Sequence, residues 1–289
     1  MFTWLAVLLA ITALIYLFIG LRIHHGLGYQ PEYSSEIPMI SVLIAARNEA
    51  ANIGNCLESL AQQIYPEDRF EVIIINDRSA DDTYTIASEY CQRIKNFKLI
   101  DIETEIAGLK GKMNALAQAM KFATGEIILV TDADCRVPQE WITGMSRNFT
   151  KDVGLCGAFT QLTRWKGKNN LFDHIQTLDW TFLQAIASGI CGLNQPVSVL
   201  GNNFGFRKTA YEAVGGFEAL GFSLTEDMVL MNAIARRTGY RIIYPLESRT
   251  RIDSLPLNTL VDFIQQRRRW LSGGLKAPLW GWVLMVTSF

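Results

Sequence analysis

The sequence has few of the residues on which most zinc and thiol sites depend. Its 289 residues include only three histidines and five cysteines, and no two cysteines form a C-x-x-C pair. This scatter argues against a structural zinc site or a disulfide framework, and it is typical of reduced thiols on the cytosolic side. A catalytic cysteine would need a histidine partner, and only His24, His25 and His174 are available, so thiol chemistry is disfavoured.

The sequence also lacks an excess of charge of either sign. It has 27 Lys and Arg residues against 28 Asp and Glu, which gives a net charge of −1. Because general nucleic-acid binders are usually basic, we expect no nucleic-acid partner. Repeats, low-complexity segments and Pro/Gly/Ser-rich linkers are absent too, and a hydrophobic content of 49% is sufficient for one large domain or two small ones.

The N-terminal segment is a long apolar run. No charged residue occurs from Phe2 to Leu21, and 20 residues at helical rise span about 30 Å of hydrocarbon. A signal peptide is the alternative, but neither a basic start nor a small-residue cleavage site is clear. We therefore predict a retained transmembrane anchor over residues 1–22 and a connector over 23–38. Arg22 and later basic clusters predict that the main domain lies on the cytoplasmic side of the cell (inner) membrane.

The C-terminal segment, residues 276–289, is apolar and aromatic but too short for a full membrane span. It is predicted to be either a membrane-proximal interfacial helix or part of a second transmembrane segment that the sequence cuts short. The abrupt end favours the second interpretation. The main domain is accordingly assigned to residues 39–275.

Between these ends, strand-like and helix-like segments alternate. Apolar runs of strand length occupy residues 39–46, 71–76, 97–100 and 126–130, and helical spacing occupies residues 52–63, 81–94 and 113–123. In the less regular second half, strands are predicted over 153–159, 197–206 and 240–244, and helices over 169–188, 225–239 and 258–274. This alternation predicts an α/β fold with a mainly parallel central sheet and helices on both faces. In such sheets ligands bind beyond the carboxyl ends of the strands.

Three of the predicted strands end in polar clusters, which read AARNEA, NDRSADDT and TDADC. In the last cluster Asp132 and Asp134 would point to the same side if the strand geometry persists. Two such carboxylates repel each other unless a cation lies beside them, and Mg²⁺ or Mn²⁺ with oxygen ligands would relieve the repulsion. The alternative is a solvated turn that merely contains aspartates.

The other two strand ends and the stretch GLKGKMN offer groups for a nucleotide. Asp77 can accept ribose hydroxyls or bind a base, or it can serve a turn. Arg47 and Glu49 would line the same edge, although Glu49 could equally cap the next helix. Lys112 would place an ammonium beside a diphosphate, or it is a solvated lysine. The stretch is not a Walker loop, because Met113 stands where Ser or Thr is required.

Two further stretches lie in the second half. In SLTEDMVL, Asp227 is the natural candidate for a general base because no histidine is well placed, yet a helix that starts at Thr225 explains the acids equally well. In QQRRRW, Arg269 can neutralise a diphosphate and Trp270 can stack on a sugar or a base. The same basic run could instead contact anionic lipid headgroups.

Taken in order, these pieces resemble glycosyltransferase family 2, the inverting enzymes with a GT-A fold. The matching stretches are SVLIAARNEA, VIIINDRSADDT, KGKMNAL, TDADC, TEDMVL and QQRRRW, and the likeness covers about residues 39–275. Each stretch alone is weak, but six in the same order are specific. The resemblance implies a GT-A domain that uses a nucleotide-sugar donor with Mg²⁺ or Mn²⁺.

The resemblance also implies a role for each matched residue. Asp134 would be nearest the metal ion, Asp227 would deprotonate the acceptor hydroxyl, and Arg269 would face the leaving diphosphate. The residues implied at the nucleotide are Ala45, Arg47, Glu49, Asp77, Lys112 and Asp132. The residues implied at the acceptor or as a gate on the diphosphate are Glu226, Gln266 and Trp270. Gln266, Arg269 and Trp270 make the Q-x-x-R-W signature of membrane synthases and lipid glucosyltransferases.

The stretch LGNN (200–203) falls where the family lines its acceptor site. The sequence departs from the family at Arg78, where many members carry Asp or Gly. It also shows one full transmembrane span, whereas polymer-exporting synthases have several.

We therefore predict a membrane-anchored glycosyltransferase that moves a sugar, with UDP as the favoured carrier, to a lipid or a growing glycan. The alternative is a non-catalytic nucleotide-binding scaffold on the membrane, which the intact set of acids disfavours. A phosphotransferase with Asp132 as nucleophile would need D-x-D-x-T, and Arg136 occupies the last position.

Overall fold

The computed structural model describes residues 2–274 of the chain. Its first element is α1 (Phe2–Leu27), which extends beyond the predicted end of the anchor at residue 22. The part from Trp4 to Leu27 is long and apolar enough, by length and composition, to cross a membrane. From Trp4 to Leu21 every residue except Ile19 is exposed. The predicted C-terminal segment 276–289 lies outside the described residues.

Within residues 2–274 the strands are β1 (Ile40–Ala46), β2 (Phe70–Asp77), β3 (Phe97–Ile102), β4 (Ile127–Thr131), β5 (Cys135–Arg136), β6 (Val153–Gly157), β7 (Thr160–Leu162), β8 (Asn203–Arg207), β9 (Arg241–Ile243) and β10 (Ile252–Ser254). The helices after α1 are α2 (Ile53–Ala61), α3 (Thr83–Arg93), α4 (Gly111–Met120), α5 (Trp141–Ser146), α6 (Leu171–Gly192), α7 (Lys208–Ala213), α8 (Gly216–Leu220), α9 (Glu226–Arg237) and α10 (Leu260–Gly274).

The main sheet has the strand order β3-β2-β1-β4-β8-β6-β9. Strands β1 to β4 are mutually parallel, and β8 runs antiparallel to both of its neighbours, β4 and β6. The predicted α/β fold with a mainly parallel sheet is therefore confirmed. Strand β5 also joins β10 and β7 in a small sheet, β5-β10-β7, which the sequence did not predict because each of its strands has only two or three residues.

Both faces of the main sheet are covered. Along β1, Leu43 packs into one hydrophobic cluster, which includes Leu116 of α4 and Leu230 of α9. Its neighbour Val42 packs into a second cluster, which includes Leu57 of α2. Because successive side chains of a strand point to opposite faces, this alternation shows a helical layer on each side of the sheet.

One predicted strand is much shorter in the structure. Residues 197–206 were expected to form it, but β8 begins only at Asn203, and residues 197–202 form an irregular segment. In this segment Val199 is buried, whereas Val197 and Leu200 are partly exposed. The apolar residues there line a cleft instead of pairing in the sheet, so their hydrophobicity was mistaken for that of a buried strand.

Candidate active site

A cleft of about 660 Å³ opens at the carboxyl edge of the parallel strands. It collects nine of the twelve site residues that the sequence singled out. These nine are Glu49, Lys112, Asp132, Asp134, Glu226, Asp227, Gln266, Arg269 and Trp270. The other three, Ala45, Arg47 and Asp77, are not part of its lining. Residues that are more than a hundred positions apart in the sequence thus share one cavity.

The two aspartates of TDADC reach the cleft by a turn. Strand β4 ends at Thr131, and the amide of Cys135 donates to the Asp132 carbonyl oxygen at 3.1 Å, which closes a turn around Asp134. The expectation that both acids continue the strand is therefore wrong. Both carboxylates still line the cleft, because the turn is held beneath by Cys56, whose thiol donates to the Asp132 carbonyl oxygen at 3.5 Å.

Lys112 lies at the centre of the charged groups. Its ammonium donates to Asp132 Oδ1 at 2.5 Å and to the Gly201 carbonyl oxygen at 2.7 Å, and it lies 3.2 Å from Glu226 Oε1. Burial opposes the charge on Lys112, but Asp132 and Glu226 outweigh it and raise the pKa of the ammonium well above its ordinary value. The lysine is therefore a partly buried ion-pair partner and not a solvated side chain.

Two carboxyl groups in the cleft hold their protons unusually tightly. Burial raises the pKa of Asp134 to about 7, and the charges of Asp132 and Glu49 act in the same direction. Burial also raises the pKa of Asp227 to about 7, with Glu226 as the next cause. A carboxyl group with a pKa near neutrality can accept a proton during a reaction, which suits a general base.

The start of α9 accounts for the position of Asp227. The carboxylate accepts from the backbone amide of Met228 at 2.8 Å, and Glu226 beside it is buried. Thr225 occupies the N-cap position, but its hydroxyl makes no capping hydrogen bond. The predicted helix start is therefore confirmed in position, without a side-chain cap, and both acids lie in the first turn, where the helix dipole favours negative charge.

The backbone at Gly201 lies close to the two acids. A Cβ atom at this position would lie 3.1 Å from Asp227 Oδ2 and 3.2 Å from Glu226 Oε1. The LGNN stretch thus brings its backbone against the acids. Its two asparagines differ: Asn202 lines the cleft, while Asn203 accepts from the Trp141 indole at 3.0 Å and donates to two backbone carbonyls.

Asp77 belongs to a neighbouring group on the same edge of the sheet. It is buried, and its Oδ1 accepts from Arg78 Nε at 2.9 Å, while its Oδ2 lies 3.9 Å from the Arg47 guanidinium. The loops after β1 and β2 are joined directly, since the Ala80 amide donates to Asn48 Oδ1 at 2.8 Å. Arg78, the departure from the family pattern, adopts a positive φ of 56°.

Helix α10 supplies the Q-x-x-R-W residues and is tied to α6. Arg267 forms an ion pair with Asp179, and its guanidinium lies 4.3 Å from the centre of the Trp270 ring. The rings of Trp180 and Trp270 are 5.0 Å apart. These contacts hold α10 so that Gln266, Arg269 and Trp270 line the cleft.

Sequence reasoning missed a whole wall of the cleft. Helix α6 contributes residues such as Trp180, Leu183 and Ile186, and the segment before β8 contributes Val197 and Val199. These are ordinary apolar residues at helical or strand spacing, and no motif distinguishes them from core. The one feature of the sequence that could have indicated this wall is that α6 directly precedes the LGNN stretch, which was predicted to line the acceptor site.

Asp132 and Asp134 fit a divalent cation. Burial and the negative charges of Asp132 and Glu49 raise the pKa of Asp134, and the charge of Lys112 lowers it only in part. A bound metal ion would add positive charge and would bring this pKa down. Among the described residues, no group of three or more His, Cys, Asp or Glu side chains is arranged to hold an ion. Mg²⁺ and Mn²⁺ commonly use one or two carboxylates together with the phosphates of a substrate, and Asp132 and Asp134 supply two carboxylates in the cleft.

Comparison with known proteins identifies the class. The family model for glycosyl transferase family 2 matches residues 41–215, more than half of the chain. The chain therefore belongs to this family of glycosyltransferases, as the ordered motifs predicted.

Two curated relatives illustrate the similarity. The chain is 28% identical over 266 residues to a beta-monoglucosyldiacylglycerol synthase from Trichormus variabilis, covering 90% of this chain and 54% of that protein. It is 31% identical over 265 residues to a poly-beta-1,6-N-acetyl-D-glucosamine synthase from Staphylococcus aureus, covering 90% of this chain and 60% of that protein. The chain thus spans little more than half the length of these relatives.

Among solved structures, the mannosyltransferase PcManGT from Pyrobaculum calidifontis, in complex with GDP-Man and Mn²⁺, has the same fold. The TM-score is 0.71 at 22% identity, and the match covers 94% of this chain and 77% of that one. The predicted GT-A-type fold is therefore confirmed.

Proposed function

We propose that this protein is a membrane-anchored, inverting glycosyltransferase that moves a sugar from a nucleotide-diphosphate donor to a lipid or glycan acceptor. The gathering of Lys112, Asp132, Asp134 and Asp227 in one cleft with Arg269 is the observation that carries this proposal. We take a UDP-sugar as the donor. The similar proteins include a glycolipid synthase, a polysaccharide synthase and a mannosyltransferase in complex with GDP-Man, so the carrier nucleotide is part of the test below.

The donor occupies the charged end of the cleft in this proposal. Asp77 and Arg47 border the nucleoside together with Ala45, and Glu49 lies between the nucleoside and the aspartates. Asp132 and Asp134 would hold the nucleotide and the Mg²⁺ or Mn²⁺ ion. The ion, when bound, supplies positive charge that stabilises the diphosphate as the sugar–phosphate bond breaks.

The chain's own cations complete this stabilisation. Lys112 reaches the diphosphate from one side, and Arg269 reaches it from α10. Gln266 and Trp270 then close the cleft over the diphosphate or the acceptor. An arginine can bind two phosphate oxygens at once, which fixes the leaving group in orientation as well as in charge.

Asp227 removes the proton from the attacking acceptor hydroxyl. Its pKa of about 7 lets a substantial fraction be ionised at neutral pH while it still binds the proton well. Glu226 beside it positions Lys112. The hydroxyl attacks the anomeric carbon opposite the diphosphate, and a single in-line displacement inverts the configuration.

We place the protein in the cell (inner) membrane with the catalytic domain in the cytoplasm. Helix α1 supports this because it is long and apolar enough to span a bilayer. Nucleotide sugars are polar, so the cleft must face an aqueous compartment that contains them.

A screen of nucleotide sugars tests this function. The purified chain with Mn²⁺ and a membrane lipid extract should release UDP or GDP from one donor, and Asp134→Ala should abolish release because the ion loses its nearest ligand. Asp68→Ala, on an exposed turn before β2, is the matched control and should behave as wild type. Release by Asp134→Ala at the wild-type rate would refute the metal assignment, and no release from any donor would refute the function.

A further inference from the structure

The cleft has a second, apolar end that a nucleotide sugar does not require. We give this name to the part of the lining that consists of Leu183 and Ile186 of α6 together with Val197, Leu224 and Met228. A sugar donor is covered with hydroxyl groups and phosphates, which would gain nothing from this lining. The apolar end therefore suits a different molecule.

Helix α6 also carries an exposed apolar stripe. Leu171 is 77% exposed, Ile175 53%, Leu178 73% and Phe182 52%. Their spacing of four, three and four residues places them on one face of the helix. Contiguous exposed apolar side chains of this size are uncommon on a surface that contacts only water, and they mark contact with a membrane or another molecule.

The stripe and the apolar end of the cleft are continuous. Phe182 belongs to both, because it is exposed and also lines the cleft. Leu224, on another part of the cleft wall, is 51% exposed as well. The only charged side chain of α6 in the lining, Asp179, is paired with Arg267. An apolar path thus leads from the surface into the cleft.

Helix α6 is fixed to the candidate membrane span. A Cβ atom on Gly26 of α1 would lie 1.7 Å from the Gly189 carbonyl oxygen, and one on Gly192 would lie 2.1 Å from the Gly26 carbonyl oxygen. The backbones of α1 and α6 therefore touch, as in close pairs of membrane helices. This contact fixes the C-terminal end of α6, the helix that carries the stripe, to the end of the span.

From this continuity we propose that the acceptor is a lipid, and that its hydrocarbon chain enters from the bilayer past Phe182 and Leu224 and lies along Leu183 and Ile186. Its hydroxyl headgroup then meets Asp227 at the charged end. The inference rests on the proposed function for the transfer step. The binding of the lipid does not depend on that function.

Photolabelling of the wild-type protein tests the binding directly. The full chain is placed in phosphatidylcholine vesicles that contain a diacylglycerol with a photoreactive acyl chain, and the labelled peptides are mapped by mass spectrometry. We expect label on the part of α6 around Leu183 and Ile186 and on residues 197–200, with competition by unlabelled diacylglycerol. Label confined to α1 would overturn the inference, whether or not any donor is turned over.

A matched pair of variants tests the same site by kinetics. Ile186→Asn should raise the KM for diacylglycerol about tenfold, the effect of losing roughly 1.4 kcal/mol of binding free energy. Thr181→Asn, on the exposed side of the same helix, should leave this KM unchanged. Transfer by the wild type to a soluble oligosaccharide and not to the lipid would overturn the inference while the glycosyltransferase function stands.

Discussion

The two ends of the cleft are built in opposite ways. At the charged end, Lys112, Asp132 and Glu226 are held by ion pairs and hydrogen bonds of 2.5–3.2 Å. At the other end, Leu183 and Val197 present aliphatic side chains with no polar partner in the cleft. Asp132 follows strand β4, Lys112 lies in the first turn of α4 and Glu226 in the first turn of α9. Leu183 comes instead from one long helix, and Val197 from an irregular segment.

This difference separates chemistry from selection of the acceptor. Removal of one partner from an ion pair shielded from water leaves the other charge uncompensated, which costs free energy. The charged end should therefore tolerate few substitutions. The apolar end gains free energy in proportion to the area that a ligand covers, which depends on shape and not on a single atom. Changes at the first end should therefore affect the rate of reaction, and changes at the second should affect the choice of acceptor.

The largest effect is expected for Asp227→Asn. The amide cannot accept the hydroxyl proton, so transfer should fall by about a hundredfold or more while donor binding persists. Steady-state transfer and nucleotide binding by calorimetry measure the two quantities. Asp68→Asn is the control on an exposed turn. Normal transfer by Asp227→Asn would show that another group removes the proton and would refute the role of Asp227 as the base.

The next effect is expected for Lys112→Met. Loss of the ammonium leaves Asp132 and Glu226 without their shared cation, so donor affinity should fall about tenfold, and the protein should lose about 1–3 kcal/mol of stability. Lys110→Met, an exposed neighbour, should change neither quantity. Donor KM and thermal unfolding are the measurements. An unchanged donor KM would show that Lys112 serves the fold alone.

A smaller effect is expected from pH. The pKa of Asp227 is raised to about 7, so its carboxyl is protonated below that pH and cannot act as a base. At saturating Mn²⁺, the transfer rate should fall roughly tenfold from pH 8 to pH 6, with donor binding followed in parallel. A rate that stays constant across this range would contradict the role of Asp227.

The smallest effect is expected for Gly201→Ala, where the segment that lines the apolar end contacts the acids. The new methyl would lie 3.1 Å from Asp227 Oδ2 and would displace the base slightly, so transfer should fall a few-fold. Gly239→Ala, which has open space around it, is the control. An effect on the acceptor KM instead of on kcat would assign Gly201 to acceptor binding.

The same contrast explains what could be predicted from the sequence. The parallel strands and their polar ends follow from local patterns, so the charged end was found with Asp134 and Asp227 in one place. The turn at Asp132 remained one of two alternatives, because the stretch TDADC is compatible with a continued strand as well as with a turn. The apolar wall was missed altogether, because an isoleucine such as Ile186 has the same helical spacing whether it lines a cleft or packs in the core.

The glycine contact between α1 and α6 sets a mechanical constraint on the whole protein. A Cβ atom on Gly26 would overlap the Gly189 carbonyl oxygen, so the two helix backbones are in direct contact and leave no room for a side chain at Gly26. In the proposed membrane-anchored enzyme, this contact would fix the distance from the bilayer to Asp227 and with it the depth at which an acceptor presents its hydroxyl. A methyl group added at Gly26 would push the two helices apart and would shift the charged end of the cleft relative to α1.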